Sequence, residues 1–481
     1  MSSSTKDYVN FTDYDVLGFD MDYTLARYEL VPFFKMSYHC VTKHLVELKK
    51  YDPAIFHDLE KERDLIYKGL LLDFETGHIL KLGHDGVILR AVHGTKKLTQ
   101  EEIIAAYGPE RKFPHYETWQ KFGTTKPNSK WRFFENYFDI PGLVAFAKIL
   151  DHLRETGAME NRTTYEDVWA DVYDSLFQMY NPSHFKENKG GFFPAMIKEA
   201  DSYLDRASKQ IKQWLQNLRQ QNRKVFLMTS SNVDFAYFIM NHIFGKDWTT
   251  LFDLRLFQAR KPSFFTDSRS FVQTNSNCEV GEPVKKLQAD RDYLMGNKED
   301  LMEFFRQETG KADPKVIYFG DNLWADAWPC SSIAGWDAVL VLEEMDAEGY
   351  AVSDGTVPGH EDEGEEDPDE PPKMKYRRYE HSSLVTEEEL QWMVSDFWGS
   401  IFIDDLHIDR SGETKEEKLS KGLKMNTAYG DLISQYATIC VPSIEYLAGV
   451  PVDHKFSKFA QDAGNARGFH PGRPKSLLVQ Q

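Results

Sequence analysis

The amino-acid sequence predicts an α/β fold, a doubly wound parallel sheet with a second domain inserted into it. Apolar runs of strand length end repeatedly in polar or charged residues, as strands do at the ligand-binding edge of such sheets. Segments with helical periodicity connect these runs. About 165 residues separate the first run from the helix near 201–222, far more than one crossover connection needs.

Four apolar runs predict the parallel strands. The first covers about 15–20, and the others lie in RKVFLMTSSN, TTLFDLRLFQARKP and PKVIYFGDN, followed by WDAVLVLEE. A connecting helix is predicted over 201–222, where apolar residues recur every three or four positions and form one stripe that packs on the core. The stripe consists of Leu204, Ala207, Ile211, Trp214, Leu215 and Leu218.

The predicted domains follow from these elements. We expect residues 1–35 and 201–350 to form the core and residues 36–200 to form the insert, which would cover the end of the first strand as a cap. Within the insert, LLDFETGHILKLGHDGVILRAVHGTKK alternates β-forming residues with turn signals, which predicts a hairpin or meander.

The rest of the chain divides by composition. Residues 351–375 are acidic and rich in Pro and Gly, which is typical of a disordered linker; a partner-binding acidic tract is the alternative. Residues 376–481 regain apolar content in WGSIFID and YATICVPSIEYLAGV, so we expect this segment to pack on the core.

Charge and composition exclude several classes of function. The net charge of −19, from 76 acidic and 57 basic side chains, argues against nucleic-acid and membrane-surface binding. The four cysteines are too far apart for a disulfide framework or a zinc site. Without a signal sequence or a membrane-spanning run, the expected location is cytoplasmic.

The stretch YDVLGFDMDYTLARY carries the most informative residues. Asp20 and Asp22 directly follow a buried strand and leave it on the same face. If Asp321 and Asp326 of YFGDNLWADAW converge there, each pair of charges about 6 Å apart repels by roughly 3 kcal/mol at an effective dielectric near 20. A cation would relieve this repulsion, and a purely oxygen ligand set favours Mg²⁺.

Each of these signals also has a simpler interpretation. Aspartates at strand ends often serve as turn or helix caps. An EF-hand loop is excluded because Leu25 stands where that loop needs Gly. The hydroxyls of Thr229 and Ser230 in FLMTSSN could hold phosphate oxygens or only cap a helix. Lys261 in QARKPSFF could neutralise a phosphate or be solvated.

The order of these motifs along the chain resembles the haloacid dehalogenase superfamily of phosphotransferases. DMDYTLARY, ARKPSFF and YFGDNLWADAW are similar to its cytosolic purine 5′-nucleotidase branch. FKENKGGFFP and PSIEYLAGVPVDHKFSKF are similar to a subgroup of 5′-nucleotidase domain-containing proteins. The resemblance covers most of the chain and implies a haloacid dehalogenase-like core with an α+β cap.

The resemblance also implies roles for individual residues. Asp20 is then the nucleophile that forms an aspartyl phosphate, and Asp22 is the general acid and base. Thr229 binds the phosphoryl oxygens with support from Ser230, and Lys261 stabilises their charge. The metal ligands of Mg²⁺ are the Asp20 carboxylate, the Asp22 backbone carbonyl and Asp321, while Asp326 orients Lys261 or a metal-bound water. As a strand-end residue with little packing, Lys261 is expected to tolerate Ala without unfolding.

One position departs from the nucleotidase pattern. The cap of the purine enzyme carries D-V-R, whose arginine contacts the base, whereas YEDVWADV here places Trp169 at the arginine position. Trp169 could stack on a base or on another aromatic substrate. Packing inside the cap is the alternative.

Three functions remain open from the sequence. The leading prediction is a Mg²⁺-dependent phosphomonoesterase of the 5′-nucleotidase type, acting on a small phosphorylated metabolite such as a nucleoside monophosphate. A phosphatase for a non-nucleotide ester and an interaction protein on a nucleotidase scaffold are the alternatives. Related nucleotidases form dimers or tetramers, which leaves a homo-oligomer open.

Overall fold

The structure is a computed structural model that describes residues 8–123, 130–157, 164–348, 384–403 and 426–457. Its strands form a nine-stranded sheet, a five-stranded sheet and a two-stranded ribbon. The acidic tract at 351–375 lies outside the described residues, so its prediction as a linker is not addressed by the structure.

The strands are numbered in chain order. They are β1 (Tyr8–Val9), β2 (Val16–Phe19), β3 (Leu70–Asp73), β4 (His78–Leu82), β5 (Ile88–His93), β6 (Lys96–Lys97), β7 (Trp131–Phe134), β8 (Lys224–Met228), β9 (Leu254–Phe257), β10 (Phe271–Thr274), β11 (Pro283–Val284), β12 (Arg291–Met295), β13 (Val316–Gly320), β14 (Asp337–Val341), β15 (Ile439–Val441) and β16 (Phe456–Ser457).

The α-helices of the described residues are numbered in the same way. They are α1 (Leu30–Glu47), α2 (Gln100–Tyr107), α3 (Tyr116–Phe122), α4 (Ile140–Thr156), α5 (Tyr165–Met179), α6 (Pro182–Glu187), α7 (Phe192–Lys198), α8 (Lys209–Gln220), α9 (Val233–Phe244), α10 (Lys298–Thr309), α11 (Glu344–Ala347), α12 (Glu387–Met393), α13 (Ala428–Tyr436) and α14 (Ile444–Ala448).

The nine-stranded sheet has the order β11-β10-β12-β9-β8-β2-β13-β14-β15. Seven neighbouring strands of this sheet run parallel, namely β12, β9, β8, β2, β13, β14 and β15. Strands β10 and β11 add an antiparallel edge beside β12. The predicted α/β class with a parallel central sheet is therefore confirmed, as are the predicted strands β2, β8, β9, β13 and β14. The edge formed by β10, β11 and β12 was not predicted, because these strands are short and their apolar runs are interrupted.

Strand β2 lies in the middle of this sheet and is buried along its whole length. Phe19, its last residue, is paired with Leu227 of β8 and with Phe319 of β13. The residues that follow these three strands therefore meet at one edge of the sheet. This register positions the candidate site.

The five-stranded sheet has the order β6-β5-β4-β3-β7 and is antiparallel. It includes the predicted meander, which is confirmed, and it lies entirely within the stretch assigned to the insert. Helix α1 begins at Leu30, so the proposed boundary at residue 36 falls inside it, and it packs with α4 and α5 of the insert. The domain boundaries themselves remain our proposal.

Two short segments join the core to the insert. We call residues 26–29 the first linker and residues 203–207 the second linker. Tyr28 forms an antiparallel bridge with Leu204, and the Asp205 N–H donates to the Arg27 carbonyl at 3.1 Å. The two linkers are therefore paired through their backbones, and we call the pair the hinge as a name for this connection.

This pairing corrects the predicted helix over 201–222. Helix α8 begins only at Lys209, because Ser208 caps it by accepting hydrogen bonds from Gln210 N and Ile211 N at 3.1 and 3.2 Å. Leu204 and Ala207 lie in the second linker instead, where Leu204 bridges Tyr28 and the Ala207 N–H donates to the Ile243 carbonyl at 3.1 Å. The apolar stripe of helix α8 is therefore formed by the remaining four residues, Ile211, Trp214, Leu215 and Leu218.

Arg27 forms ion pairs that stabilise the hinge. Its guanidinium lies 2.7 Å from Asp205 of the second linker, 3.1 Å from Glu343 after β14, and 2.7 Å from Glu389 of α12. Glu389 also accepts a hydrogen bond from Leu30 N at 3.0 Å. One side chain thus connects the core, both linkers and the C-terminal segment.

The C-terminal segment packs on two different surfaces. Strand β15 extends the core sheet parallel to β14. In contrast, residues 384–403 also contact the insert, where Lys81 donates to the carbonyl oxygens of Trp398 and Ser400. Among the described residues, no helix is both long and apolar enough to span a bilayer.

Gly18 in β2 provides a test of the packing of the central sheet. A methyl group on Gly18 would lie 2.2 Å from Phe226 Cζ and 2.7 Å from Tyr318 Cδ2. We expect Gly18→Ala to lower the free energy of unfolding by about 1–3 kcal/mol because the rings must shift. Urea denaturation measures this change.

Gly449→Ala is the matched control. The nearest atom to a methyl group there lies at 3.4 Å, and the residue is exposed. We expect a change within about 0.5 kcal/mol. Equal effects of the two substitutions would contradict the tight packing around β2.

Candidate active site

The carboxyl ends of β2, β8 and β13 bring the predicted site residues together. Asp20 follows β2, and its backbone N–H donates to the Phe319 carbonyl at 2.8 Å. Thr229 follows β8, and Asp321 follows β13. These residues, with Asp22 and Lys261, line one cleft. The predicted convergence at one edge of the sheet is therefore present in the structure.

Lys261 lies between two carboxylates. Its Nζ is 2.9 Å from Asp20 Oδ2 and 2.6 Å from Asp326 Oδ1, and it donates to Tyr318 Oη at 2.9 Å. Burial alone would lower the pKa of Lys261, but the charges of Asp20 and Asp326 raise it well above its ordinary value. The ammonium group is therefore charged at neutral pH.

The sequence-based view of Lys261 as a strand-end residue with few contacts is wrong. Its side chain is only 2% exposed and makes three polar contacts. The loop after β9 turns inward and delivers this side chain into the cluster. A proline after a lysine marks a turn but does not indicate the direction of the lysine side chain, so the sequence could not predict its burial.

Asp22 is held by two hydroxyl groups. Tyr28 Oη donates to Oδ1 at 2.6 Å, and Ser231 Oγ donates to Oδ2 at 2.8 Å. Burial and the neighbouring charge of Asp20 raise the pKa of Asp22 to about 6, against the opposing effect of these hydrogen bonds and of Lys261. A carboxyl group with this pKa can exchange a proton near neutral pH.

Three carboxylates form an acidic cluster beside Lys261. Asp20, Asp321 and Asp326 each place an oxygen within 4.8 Å of the others. Asp326 is engaged by Lys261 and by the Asn322 N–H at 3.1 Å, and burial raises its pKa to about 6. Burial also raises the pKa of Asp321 well above its ordinary value.

Asp321 is the carboxylate best suited to bind a cation. Within the described part of the chain its side chain makes no hydrogen bond or ion pair, although it is only 6% exposed and lines the cleft. A buried carboxylate without a partner is unfavourable unless it is protonated or binds a cation. Together with Asp20 it offers the hard oxygen ligands that Mg²⁺ prefers.

The hydroxyl residues after β8 face the same cleft. Thr229 is 1% exposed, and its Oγ1 accepts a hydrogen bond from Ser231 N at 3.1 Å. Ser230 Oγ accepts one from Lys261 N at 3.1 Å. Helix α9 begins immediately afterwards at Val233. This arrangement places hydroxyl groups and the start of a helix at the cleft, a combination that is suited to binding an anion.

The cleft has a volume of about 410 Å³ and two contrasting walls. One wall consists of the polar strand-end residues. The other is aromatic and comes mainly from the insert, with one ring from α9. Its rings are Phe138, Tyr180, Phe185, Phe192, Phe193 and Phe235. Such a cleft is suited to a ligand with a polar group at one end and an apolar group at the other.

Trp169 does not belong to this wall, which corrects its suggested contact with a base. It is 8% exposed and packs against Phe74, Phe134 and Phe146 with ring-centroid distances of 6.2, 5.4 and 6.1 Å. It is absent from the residues that line the cleft. The alternative of packing inside the cap is the one that the structure supports.

Several residues of the site were not predicted. Tyr28 and Tyr318 support Asp22 and Lys261, respectively, and Glu135 of the insert accepts hydrogen bonds from Leu323 N and Trp324 N at 2.9 and 3.4 Å. Burial raises the pKa of Glu135 to about 8. A tyrosine within a fully apolar strand could have signalled Tyr318, because a buried hydroxyl requires a partner.

The comparison with known proteins identifies relatives along most of the chain. The sequence pattern of the 5′ nucleotidase family matches residues 5–462 of this chain. Human 5′-nucleotidase domain-containing protein 1 is 34% identical over 465 residues, which covers 96% of each chain, and the Bos taurus protein of the same name is 34% identical over 470 residues with the same coverage. Human 5′-nucleotidase domain-containing protein 2 is 27% identical over 349 residues, covering 71% of this chain and 62% of that protein.

The burial of Lys261 leads to a prediction about stability. Lys261→Met keeps the length of the side chain but leaves Asp20 and Asp326 without a cation. We expect the free energy of unfolding to fall by about 3–5 kcal/mol, as for other broken buried pairs. Urea denaturation at pH 7.5 measures the loss, and adding Asp326→Asn should recover part of it.

Lys43→Met is the control for this prediction. The Lys43 side chain is 57% exposed and lies 3.9 Å from Glu47 on the surface. Its loss should change the free energy of unfolding by no more than about 1 kcal/mol. If Lys261→Met were as mild, the buried cluster would not depend on the lysine.

Proposed function

The chain belongs to the 5′-nucleotidase family, in agreement with the resemblance noted in its sequence, and we propose that it hydrolyses a phosphate monoester of the nucleoside monophosphate type. The observation that carries this proposal is the convergence of Asp20, Asp22, Thr229, Lys261 and Asp321 at the mouth of one cleft. Such a set supplies a nucleophile, a proton donor, phosphate contacts and cation ligands together.

In this proposal Asp20 is the nucleophile. Its Oδ2 contacts Lys261, while its Oδ1 accepts a hydrogen bond from Met21 N at 2.8 Å, so the orientation of the carboxylate is fixed. An oxygen of Asp20 attacks phosphorus and forms an aspartyl phosphate as the ester bond breaks. Lys261 and the Thr229 hydroxyl stabilise the charge on the phosphoryl oxygens.

Asp22 is the proposed general acid and base. In the first step its proton goes to the oxygen of the leaving alcohol. In the second step Asp22 accepts a proton from the water that attacks phosphorus, and the bond between Asp20 and phosphorus breaks. The raised pKa of Asp22, about 6, supports this role because both protonation states are accessible near neutral pH.

We propose that a divalent cation, Mg²⁺, is held by the Asp20 carboxylate, the Asp22 backbone carbonyl and Asp321. The lack of a protein partner for the buried Asp321 side chain among the described residues supports this ligand set. When bound, the ion would neutralise charge on the phosphoryl group. Asp326 is proposed to orient Lys261, with which it is already paired.

The aromatic wall favours a substrate with a planar, uncharged ring system. Among the described residues that line the cleft, Lys261 is the only cation, and it is paired with two carboxylates. A nucleoside can pack on the rings without a charged partner, whereas a second phosphate group would meet Asp22, Asp234 and Asp321. A phosphate ester of another aromatic alcohol satisfies the same wall and is the second candidate.

The proposal is tested with a substrate panel and one substitution. Purified protein is assayed with Mg²⁺ against nucleoside monophosphates, aryl phosphates and sugar phosphates by release of inorganic phosphate. We expect nucleoside or aryl esters to exceed ribose 5-phosphate in kcat/KM by up to about tenfold, because one stacking contact contributes about 0.5–1.5 kcal/mol. Asp20→Asn should lower kcat by at least about 10³-fold.

The controls separate catalysis from folding and from contamination. Asp247→Asn makes the same chemical change in a surface carboxylate that pairs with Lys212 and should leave kcat unchanged. Removal of metal with EDTA should abolish activity, and Mg²⁺ should restore it. Equal residual activity in the wild type and in Asp20→Asn would refute the proposal and favour an interaction protein on this scaffold.

A further inference from the structure

Tyr28 lies in the first linker, six residues after Asp22, and is fully buried. Its backbone is bridged to Leu204 of the second linker. Its ring centroid lies 4.9 Å from those of both Tyr23 and Phe33, which enclose it. Backbone pairing and ring packing together fix the position of the Tyr28 hydroxyl.

That hydroxyl forms one of two hydrogen bonds that hold Asp22. Tyr28 Oη donates to Oδ1 at 2.6 Å, and Ser231 Oγ donates to Oδ2 at 2.8 Å. In the described part of the chain no other side chain forms a hydrogen bond with the Asp22 carboxyl group. One donor comes from the linker and the other from the core, so the plane of the carboxyl group is determined by both.

We propose that Tyr28 is a positioning residue that holds Asp22 in one orientation for proton transfer. This inference rests on the proposed phosphomonoesterase function. Tyr28 does not touch the reacting atoms in this arrangement. It acts through Asp22, and it links the orientation of that carboxyl group to the hinge between the core and the insert.

Both hydroxyl groups donate to Asp22, so each occupies a lone pair of one carboxyl oxygen. The remaining lone pairs are left for the proton that passes to the leaving oxygen, since Asp22 lines the cleft. Tyr28 and Ser231 therefore fix which side of the carboxyl group faces the substrate.

The chemistry of the leaving group tests this inference. p-Nitrophenolate leaves without a proton, whereas phenolate leaves faster when it is protonated. The two phosphate esters have similar rings and should contact the aromatic wall alike. For Tyr28→Phe we expect kcat/KM to fall at least about tenfold with phenyl phosphate but less than about threefold with p-nitrophenyl phosphate, since general acid catalysis contributes only to the first.

Tyr23→Phe is the matched control, because the Tyr23 hydroxyl is buried without a hydrogen-bond partner among the described residues. It should change kcat/KM by less than about twofold for either ester, since no hydrogen bond is lost. Ser231→Ala removes the other donor to Asp22 and should reproduce the selective loss. Thermal unfolding of each variant shows that it is folded.

The outcomes are distinct. A loss confined to phenyl phosphate in Tyr28→Phe supports the positioning role. An equal loss with both esters, or no loss, would overturn it while leaving the proposed function intact. If the wild type hydrolysed neither aryl ester nor any nucleoside monophosphate, the proposed function would fail and the inference would fail with it.

Discussion

The buried contact of Lys261 with Asp20 and Asp326 is the interaction on which the site depends. At an effective dielectric near 20, each contact at these distances contributes about 6 kcal/mol before desolvation. Taking each of the three charges out of water costs several kcal/mol, so the net gain in stability is small. What the cluster provides is orientation, because Lys261 and the Met21 N–H hold the Asp20 carboxylate in place at the end of a buried strand.

This constraint explains the surrounding architecture. The register of β2 between β8 and β13 places Asp20 beside both Thr229 and Asp321. The insert then contributes contacts from its own side, with Glu135 binding the backbone after Asp321 and the aromatic rings closing the cleft. The hinge supplies Tyr28. Core, insert and linker are therefore each required to complete one site.

The strand-end aspartates, Thr229 and Lys261 could be predicted because apolar runs mark strands and parallel strands place their ends together. Side-chain direction could not be predicted in the same way. Lys261 enters the cluster because its loop turns inward, and Trp169 lies in the core of the insert because its helix face packs on Phe134 and Phe146. Tyr28 was missed because the sequence does not show that the first linker turns its hydroxyl group toward Asp22.

The most direct test is to identify the residue that carries the phosphoryl group during turnover. Asp22→Asn is reacted with a radiolabelled monoester and Mg²⁺, quenched in acid, digested and analysed by mass spectrometry. We expect the label on Asp20, because its carboxylate is oriented by Lys261 and lines the cleft. A label on Thr229, on Ser231 or on any histidine, or turnover without a covalent intermediate, would contradict this mechanism.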